Sequence, residues 1–498
     1  MKRTRLLTAC SLVIASVLVL AWSPALRHDT IVKFTLLQIN DVYEITPVSG
    51  GKEGGMARLA TLRRQLVAQN PNTFTILAGD LFSPSALGTA KVGDARLDGK
   101  QMVDVMNAVG LNYGTFGNHE FDLKEQPFLQ RLSESRFTWF SSNAFDRNQK
   151  PFPNVAEHVV FTVSNAAKQQ VRVGLFGVML TKNQPNYVTY TDPLAAAKKQ
   201  VQALRDKADI IIAVTHLQLE EDVALAQAVP EIDLILGGHE HENVQVWRGA
   251  DFTPIYKADA NARSAYVHHL TYDAETKHLR IDSKLEPINA QISEDSTVAE
   301  KVNYWVDLAF GAFRAMGFEP GKLVVNSPVE LDGRESVVRN QPGKLTDLIA
   351  AGFLSATPGA DLAIVNGGSI RIDDELPPGN ITEYDVIRIL PFGGNVAFVE
   401  MRGRLLKQVL EQGLANKGTG GYLQTANVSL KNENWLINGK VLDQRRNYKV
   451  ALNDFLITGN EQGLSYLNTK NTDLKVLNPN IIEVRRALIS QLQKSFSK

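Results

Sequence analysis

Several short runs of β-branched and aliphatic residues in this chain end on a carboxylate or an imidazole, and that pattern narrows the fold more than any other feature. VKFTLLQIND closes on Asp41 and TFTILAGD on Asp80. Farther along, VRVGLFGV, ADIIIAVTH and EIDLILGGHEH repeat the scheme, the last two reaching His216, His239 and His241. Between the first runs, GGMARLATLRRQLVAQN sets Met56, Leu59, Leu62 and Leu66 at helical spacing before Asn70-Pro71 stops it. Short continuous apolar runs alternating with helical stretches predict buried parallel strands in an α/β layering. Ligands of open α/β sheets bind outside the carboxyl ends of strands, so residues some 200 positions apart can converge there.

A second α/β pattern follows the first. DLAIVNGG and NVAFVEM read as strands and RLLKQVLEQGLA as a helix. ISEDSTVAEKVNYWVDLAFGAFRAM, Ile292 to Met316, reads as one long amphipathic helix joining the two patterns. The expected organisation is a first unit over 31–290, a linking helix over 291–320 and a second α/β unit over 321–498. The 498 residues, 44% of them hydrophobic, suffice for two or three such units. Lys plus Arg and Asp plus Glu both number 53, so no net field draws this chain to a nucleic acid polymer. Partners are expected to be small molecules held at local sites.

Lys2, Arg3 and Arg5 precede an uncharged, mostly apolar run from Leu6 to Trp22, the layout of a secretory signal. Ser23 and Ala25 suit cleavage after Ala25, so residues 1–25 are expected to direct export to a periplasmic or extracellular space. The alternative is retention of the segment as a membrane anchor, since its length approaches the roughly 20 residues of a spanning helix. Cys10, the single cysteine, falls inside it, leaving the mature chain with no thiolate ligand or nucleophile.

Asp41, Asp80, Asn118, His216, His239 and His241 each stand at or just past the end of an expected strand. Carboxylate, amide oxygen and imidazole are ligand types for divalent Mn, Zn, Co, Fe or Ni when no thiolate is available. A set with one shared carboxylate suits two cations about 3.5–4 Å apart. Taken singly, Asp41 and Asp80 could cap a turn, and His216 could be a buried structural histidine. GGHEH and GNHEFD are harder to explain by packing, because polar residues crowd behind glycine turns.

This combination resembles the calcineurin-like metallophosphoesterase superfamily, and specifically the 5′-nucleotidase family, in which an N-terminal α/β-sandwich metallophosphoesterase domain is joined to a C-terminal substrate-binding domain. The resemblance implies two divalent cations (Mn, Zn, Co or Mg). Asp41 and His241 would hold the first, Asn118, His216 and His239 the second, and Asp80 would bridge. His119 and Asp122 would be the catalytic pair, the carboxylate orienting the imidazole. One departure stands out. The family has Asp-x-His at the first strand, whereas NDVYE puts Tyr43 at that histidine's place, with Glu44 next to it. A phenol binds a divalent ion only when the ion displaces its proton. Packing residue, hydrogen-bond donor and ligand are the open roles for Tyr43.

In the second unit NGGSIR and LPFGG resemble substrate-binding motifs, implying Asn366 and Arg371 near the phosphate or ribose and Phe392 on the base. ALNDFLITGNEQG resembles the stretch supplying a second stacking ring, here Phe455, and an acid for the ribose hydroxyls, here Glu461, where the family usually has Asp. Ser336 occupies a position where an Arg is usual, with Arg334 and Arg339 as possible substitutes. The implied activity is 5′-nucleotidase: hydrolysis of nucleoside monophosphates, extending to 2′,3′-cyclic nucleotides or nucleotide sugars. A metal-activated hydroxide attacks, and His119 assists the leaving group. The alternatives are a dimetal hydrolase of another phosphate or sulfur ester, as in the related thiosulfohydrolases, and a non-catalytic nucleotide-binding envelope protein.

Overall fold

The computed structural model describes residues 30–497. The expected signal segment lies outside the described residues. Among the described residues, no helix is long and apolar enough to cross a membrane.

The runs read as strands are strands: Ile31–Ile39, Thr73–Ala78, Gln170–Met179, Ile210–His216 and Leu234–Gly237. They are divided between two sheets. The seven-stranded one has Tyr113–Thr115, Thr73–Ala78 and Ile31–Ile39 at its middle. The six-stranded one centres on Ile210–His216 and Leu234–Gly237. The core strands pair in parallel, while antiparallel strands such as Ser264–Asp273 and His158–Ser164 extend the sheets. Those longer, alternating strands can face water on one side, which a purely parallel expectation does not foresee.

Residue alternation explains the layering. On Ile31–Ile39, Val32, Phe34 and Leu36 meet Val173, Leu175, Ile212 and Val214 of the other sheet. Leu37 and Ile39 face the opposite way, under the helices Met56–Gln69 and Lys100–Val109. Helices Pro193–Leu204 and Leu219–Ala228 cover the outer face of the second sheet. The result is a helix–sheet–sheet–helix sandwich, with every central strand buried on both faces.

The long helix runs Ser296–Ala315, and Asp295 accepts from Val298 N at 3.0 Å as its cap. It lies docked on the first unit: Val298, Val302, Trp305, Ala309 and Phe313 form a buried stripe against that unit's core. Beyond it a five-stranded, mostly antiparallel sheet contains Leu362–Asn366, Asn447–Asn453 and Asn395–Arg402. Helices Lys344–Ala356 and Val484–Phe496 pack on one face and Gly403–Ala415 on the other.

Candidate metal centre and adjoining cleft

The loops after the central strands meet at one edge of the sandwich. Asp41 and Asp80 both adopt left-handed backbone conformations (φ 53° and 59°), and His239 does too (φ 83°). Such conformations are costly for non-glycine residues and persist where surrounding contacts fix them. Asp41 N donates to Gly79 O at 3.0 Å and Val42 N to Asp80 O at 2.9 Å, tying the first two loops together. Gly79 (φ 84°) must be glycine twice over, because a Cβ there would strike the His216 ring.

One ligand-type atom each from Asp41, Asp80 and His216 lies within 4.8 Å of the others. The second oxygen of each carboxylate is already committed. Asp41 Oδ2 accepts from Asn40 Nδ2 (2.8 Å) and His239 N (2.9 Å), and Asp80 Oδ1 accepts from His119 N (2.8 Å). The other oxygens turn inward: Asp80 Oδ2 is 3.2 Å from His216 Nε2, and Asp41 Oδ1 is 3.8 Å from it. His216 Nδ1 donates to Ala78 O at 2.9 Å, so that in the neutral ring Nε2 is the lone pair aimed at the carboxylates. His241 Nε2 comes within 3.5 Å of Asp41 Oδ1. The His239 ring packs edge-on to His216 at 5.3 Å between centroids. Asn118 Oδ1 and His216 Nε2 are both buried and have no hydrogen-bond partner among the described residues.

Orphaned acceptors of this kind are rare in folded proteins and call for an explanation. Two carboxylate oxygens, an amide oxygen and an imidazole lone pair, facing one another with few protons to share, fit a divalent cation. Burial works against charge on Asp80, yet His216 and His119 hold its carboxyl well below the usual range. Burial likewise opposes charge on His216, but Asp80 and Asp41 raise its pKa to about 9. Burial, and then His216, push His239 far below the ordinary imidazole value.

His119 Nδ1 lies 2.7 Å from Asp122 Oδ2, and Asn183 Nδ2 (2.7 Å) and Ser83 Oγ (3.2 Å) hold that carboxylate in turn. Arg371 Nη2 approaches His119 Nε2 at 3.1 Å from the second unit. These residues border a cleft of about 1100 Å³ between the two units. Its lining includes His119, Asp122, Asn366, Arg371, Phe392, Phe455 and Glu461, so the expected catalytic pair and all five expected substrate residues share one space. Phe392 and Phe455 stand 51% and 41% exposed on its wall. Asn366 Nδ2 donates to Glu461 Oε2 at 2.6 Å, linking two of these residues. The six metal-type residues do not line the cleft. They sit behind His119, whose backbone N–H bonds Asp80.

Of the two candidate substitutes for the absent arginine, Arg334 is engaged by Asp332 and Glu375. Arg339 is half-buried against Glu335, which also pairs with Arg371 at 3.3 Å. Ser336 faces Glu242 instead.

Three supporting groups carried no role in the sequence reading. Glu120, fully buried, accepts from Asp80 N (3.0 Å) and Gly117 N (2.6 Å) through Oε2, and from Leu81 N (2.5 Å) and Phe82 N (3.2 Å) through Oε1. Its place inside GNHEFD was the available signal. Lys257 donates to Leu217 O (2.7 Å) and Gly238 O (2.9 Å), the carbonyls beside His216 and His239. Asp373 accepts from His241 Nδ1 at 2.7 Å, and nothing in the sequence around it signals this.

The family model for calcineurin-like phosphoesterases matches residues 34–243. That for the C-terminal domain of 5′-nucleotidases matches residues 324–468. The chain is therefore a phosphoester hydrolase of the calcineurin-like metallophosphoesterase type, whose fold implies divalent metal ions. Protein UshA of Yersinia enterocolitica is 26% identical over 94% of each chain, and a 5′-nucleotidase of Vibrio cholerae is 27% identical over 93% of each. Among solved structures, a 5′-nucleotidase precursor from Thermus thermophilus superposes with TM-score 0.74 and 23% identity, over 93% of this chain and 96% of that one. The sulfate thiohydrolase SoxB of the same organism reaches TM-score 0.70 at 15% identity, over 93% and 94%. The chain is thus similar over most of its length to 5′-nucleotidases, with a calcineurin-like phosphoesterase domain followed by a 5′-nucleotidase C-terminal domain.

Proposed function

We propose that this protein is an exported 5′-nucleotidase that releases orthophosphate from nucleoside monophosphates, using two divalent cations (Mn, Zn, Co or Mg). The observation that carries the reading is the single cleft in which the His119–Asp122 pair and Arg371 face two exposed phenylalanines, directly in front of the carboxylate–histidine cluster. In this reading 31–290 is the hydrolytic unit, 291–320 the link and 321–498 the substrate unit. Asp41 and His241 serve one ion, Asn118, His216 and His239 the other, and Asp80 both. When bound, the cations supply Lewis acidity to the phosphate and an attacking water that is ionised near neutral pH.

The chain's own residues supply the rest. Arg371 Nε and Arg339 Nε are buried and unpartnered among the described residues, which suits recognition of an anion at this end of the cleft. Asp122 fixes the His119 ring through Nδ1 and leaves Nε2 directed at Arg371 and the phosphate position. From there His119 stabilises or protonates the departing ribose oxygen. Phe392 and Phe455 offer aromatic faces to either a purine or a pyrimidine. Asn366 and Glu461 present polar groups to the ribose.

The test uses protein lacking residues 1–25, assayed on AMP, UMP, an alkyl phosphate and a thiosulfate ester with Mn, Zn, Co or Mg. Chelator-sensitive phosphate release from AMP or UMP is the expected result. Turnover of the non-nucleotide esters alone would reassign the substrate, and binding without turnover under any metal would remove the catalytic reading.

A further inference from the structure

We infer that Tyr43 is a ligand of the first cation, coordinating through its phenol oxygen in place of an imidazole. The inference rests on the metal centre of the proposed function and concerns which of this chain's side chains complete it.

Tyr43 Oη lies 2.9 Å from Asp80 Oδ2 and 3.2 Å from Asp41 Oδ1, and 3.2 Å from His241 Nε2. A phenol carries one proton and can donate to one of the two carboxylates only. Its oxygen then faces the other carboxylate lone pair to lone pair, within hydrogen-bond distance and buried. His241 Nδ1 meets Asp373 Oδ2 at 2.7 Å, so that nitrogen is the protonated one in the neutral ring. Nε2 then brings a further lone pair. Two carboxylate oxygens, a phenol oxygen and an imidazole nitrogen drawn this close together make a good cation site.

The distances point the same way. Donor atoms at adjacent corners around an octahedral ion with bonds of about 2.1 Å lie about 3 Å apart. The phenol oxygen stands at 2.9, 3.2 and 3.2 Å from the three other donors. The ring is also fixed there. Tyr43 is 5% exposed, its N–H donates to Asn261 Oδ1 at 3.0 Å, and its ring packs at 5.5 Å from that of His241. Glu44, the adjacent candidate, is turned away and pairs with Arg388 at 3.6 Å.

Coordination breaks the phenolic O–H bond, forms an oxygen–cation bond and sends the proton to solvent. The first set is then three anionic oxygens and one imidazole, from Asp41, Tyr43, Asp80 and His241. The second, Asn118, His216 and His239 sharing Asp80, is richer in neutral nitrogen. The first site should therefore favour a harder cation than the second.

The experiment titrates Zn2+, which has no absorbance of its own, into metal-free protein lacking residues 1–25, reading the ultraviolet difference spectrum of ionised tyrosine and the metal bound per chain. Wild type is expected to bind two ions and show the signal of one ionised tyrosine. Tyr43→Phe should lose that signal and bind the weaker ion at least tenfold less tightly. Tyr43→His should restore two tight ions without the signal. Two ions bound by wild type with no tyrosinate signal would overturn the inference while leaving the metal centre intact, and this result needs no variant to fold. An undiminished signal in Tyr43→Phe would overturn it as well. Failure of wild type to bind any of Zn2+, Mn2+ or Co2+ would remove the centre itself, and the inference with it.

Discussion

Replacing Glu120 by Gln tests whether the loops of the candidate metal centre depend on one buried carboxylate. Each Glu120 oxygen accepts two backbone N–H groups: Oε2 those of Asp80 and Gly117, Oε1 those of Leu81 and Phe82. A glutamine places its NH2 against one of these pairs whichever way the amide is turned. Two buried donors lose their acceptor in either rotamer, at about 1–3 kcal/mol each, so the expected loss is about 2–6 kcal/mol. That is a large fraction of the 5–15 kcal/mol typical of a domain. The assay is denaturant unfolding of metal-free Glu120→Gln against wild type, with the slope checked for constancy. Metal content follows, since Asp80 N and Gly117 N flank two expected ligands. A loss under about 1 kcal/mol with unchanged metal binding would refute the view that this carboxylate organises the loops.

His119→Ala should lower turnover of AMP at least tenfold with metal content unchanged, measured by steady-state kinetics and elemental analysis. Phe392→Ala and Phe455→Ala should each raise KM for a nucleoside monophosphate about fivefold or more while sparing an alkyl phosphate, given about 1–3 kcal/mol per stacked base. His268, buried between Ser283 (2.7 Å) and Gln38 (3.0 Å), has its pKa lowered by burial to about 3 from 6.5. The unfolded chain therefore takes up a proton below pH 6.5 that the folded chain refuses, and stability falls as pH drops from 6.5 towards about 3. The loss is on the order of 4–5 kcal/mol, and His268→Gln should flatten that stretch of the unfolding free energy against pH.

The part of this protein legible in its sequence is the part built from local patterns. Apolar runs gave strands because side-chain alternation and β-branched composition are properties of the segment itself. The likeness of Asp41, Asp80, GNHE and GGHEH to a known motif set led to the cluster because all four sit immediately after such strands. Antiparallel extensions to the sheets were not legible, since pairing direction depends on connections rather than on composition.

Sequence alone determined where the main strands and helices form and that the candidate metal-type residues lie at strand ends, because periodicity and turn composition act over a few residues. The tertiary structure alone decided what those residues touch. It set Asp373 on His241, Arg371 on His119 and Tyr43 between two carboxylates. The first two of these contacts cross from the second unit to the first, at separations of 132 and 252 residues. No local rule reaches that far. Such contacts follow from how two packed bodies meet, and the energy of that meeting is spread over surfaces that no short stretch of chain encodes.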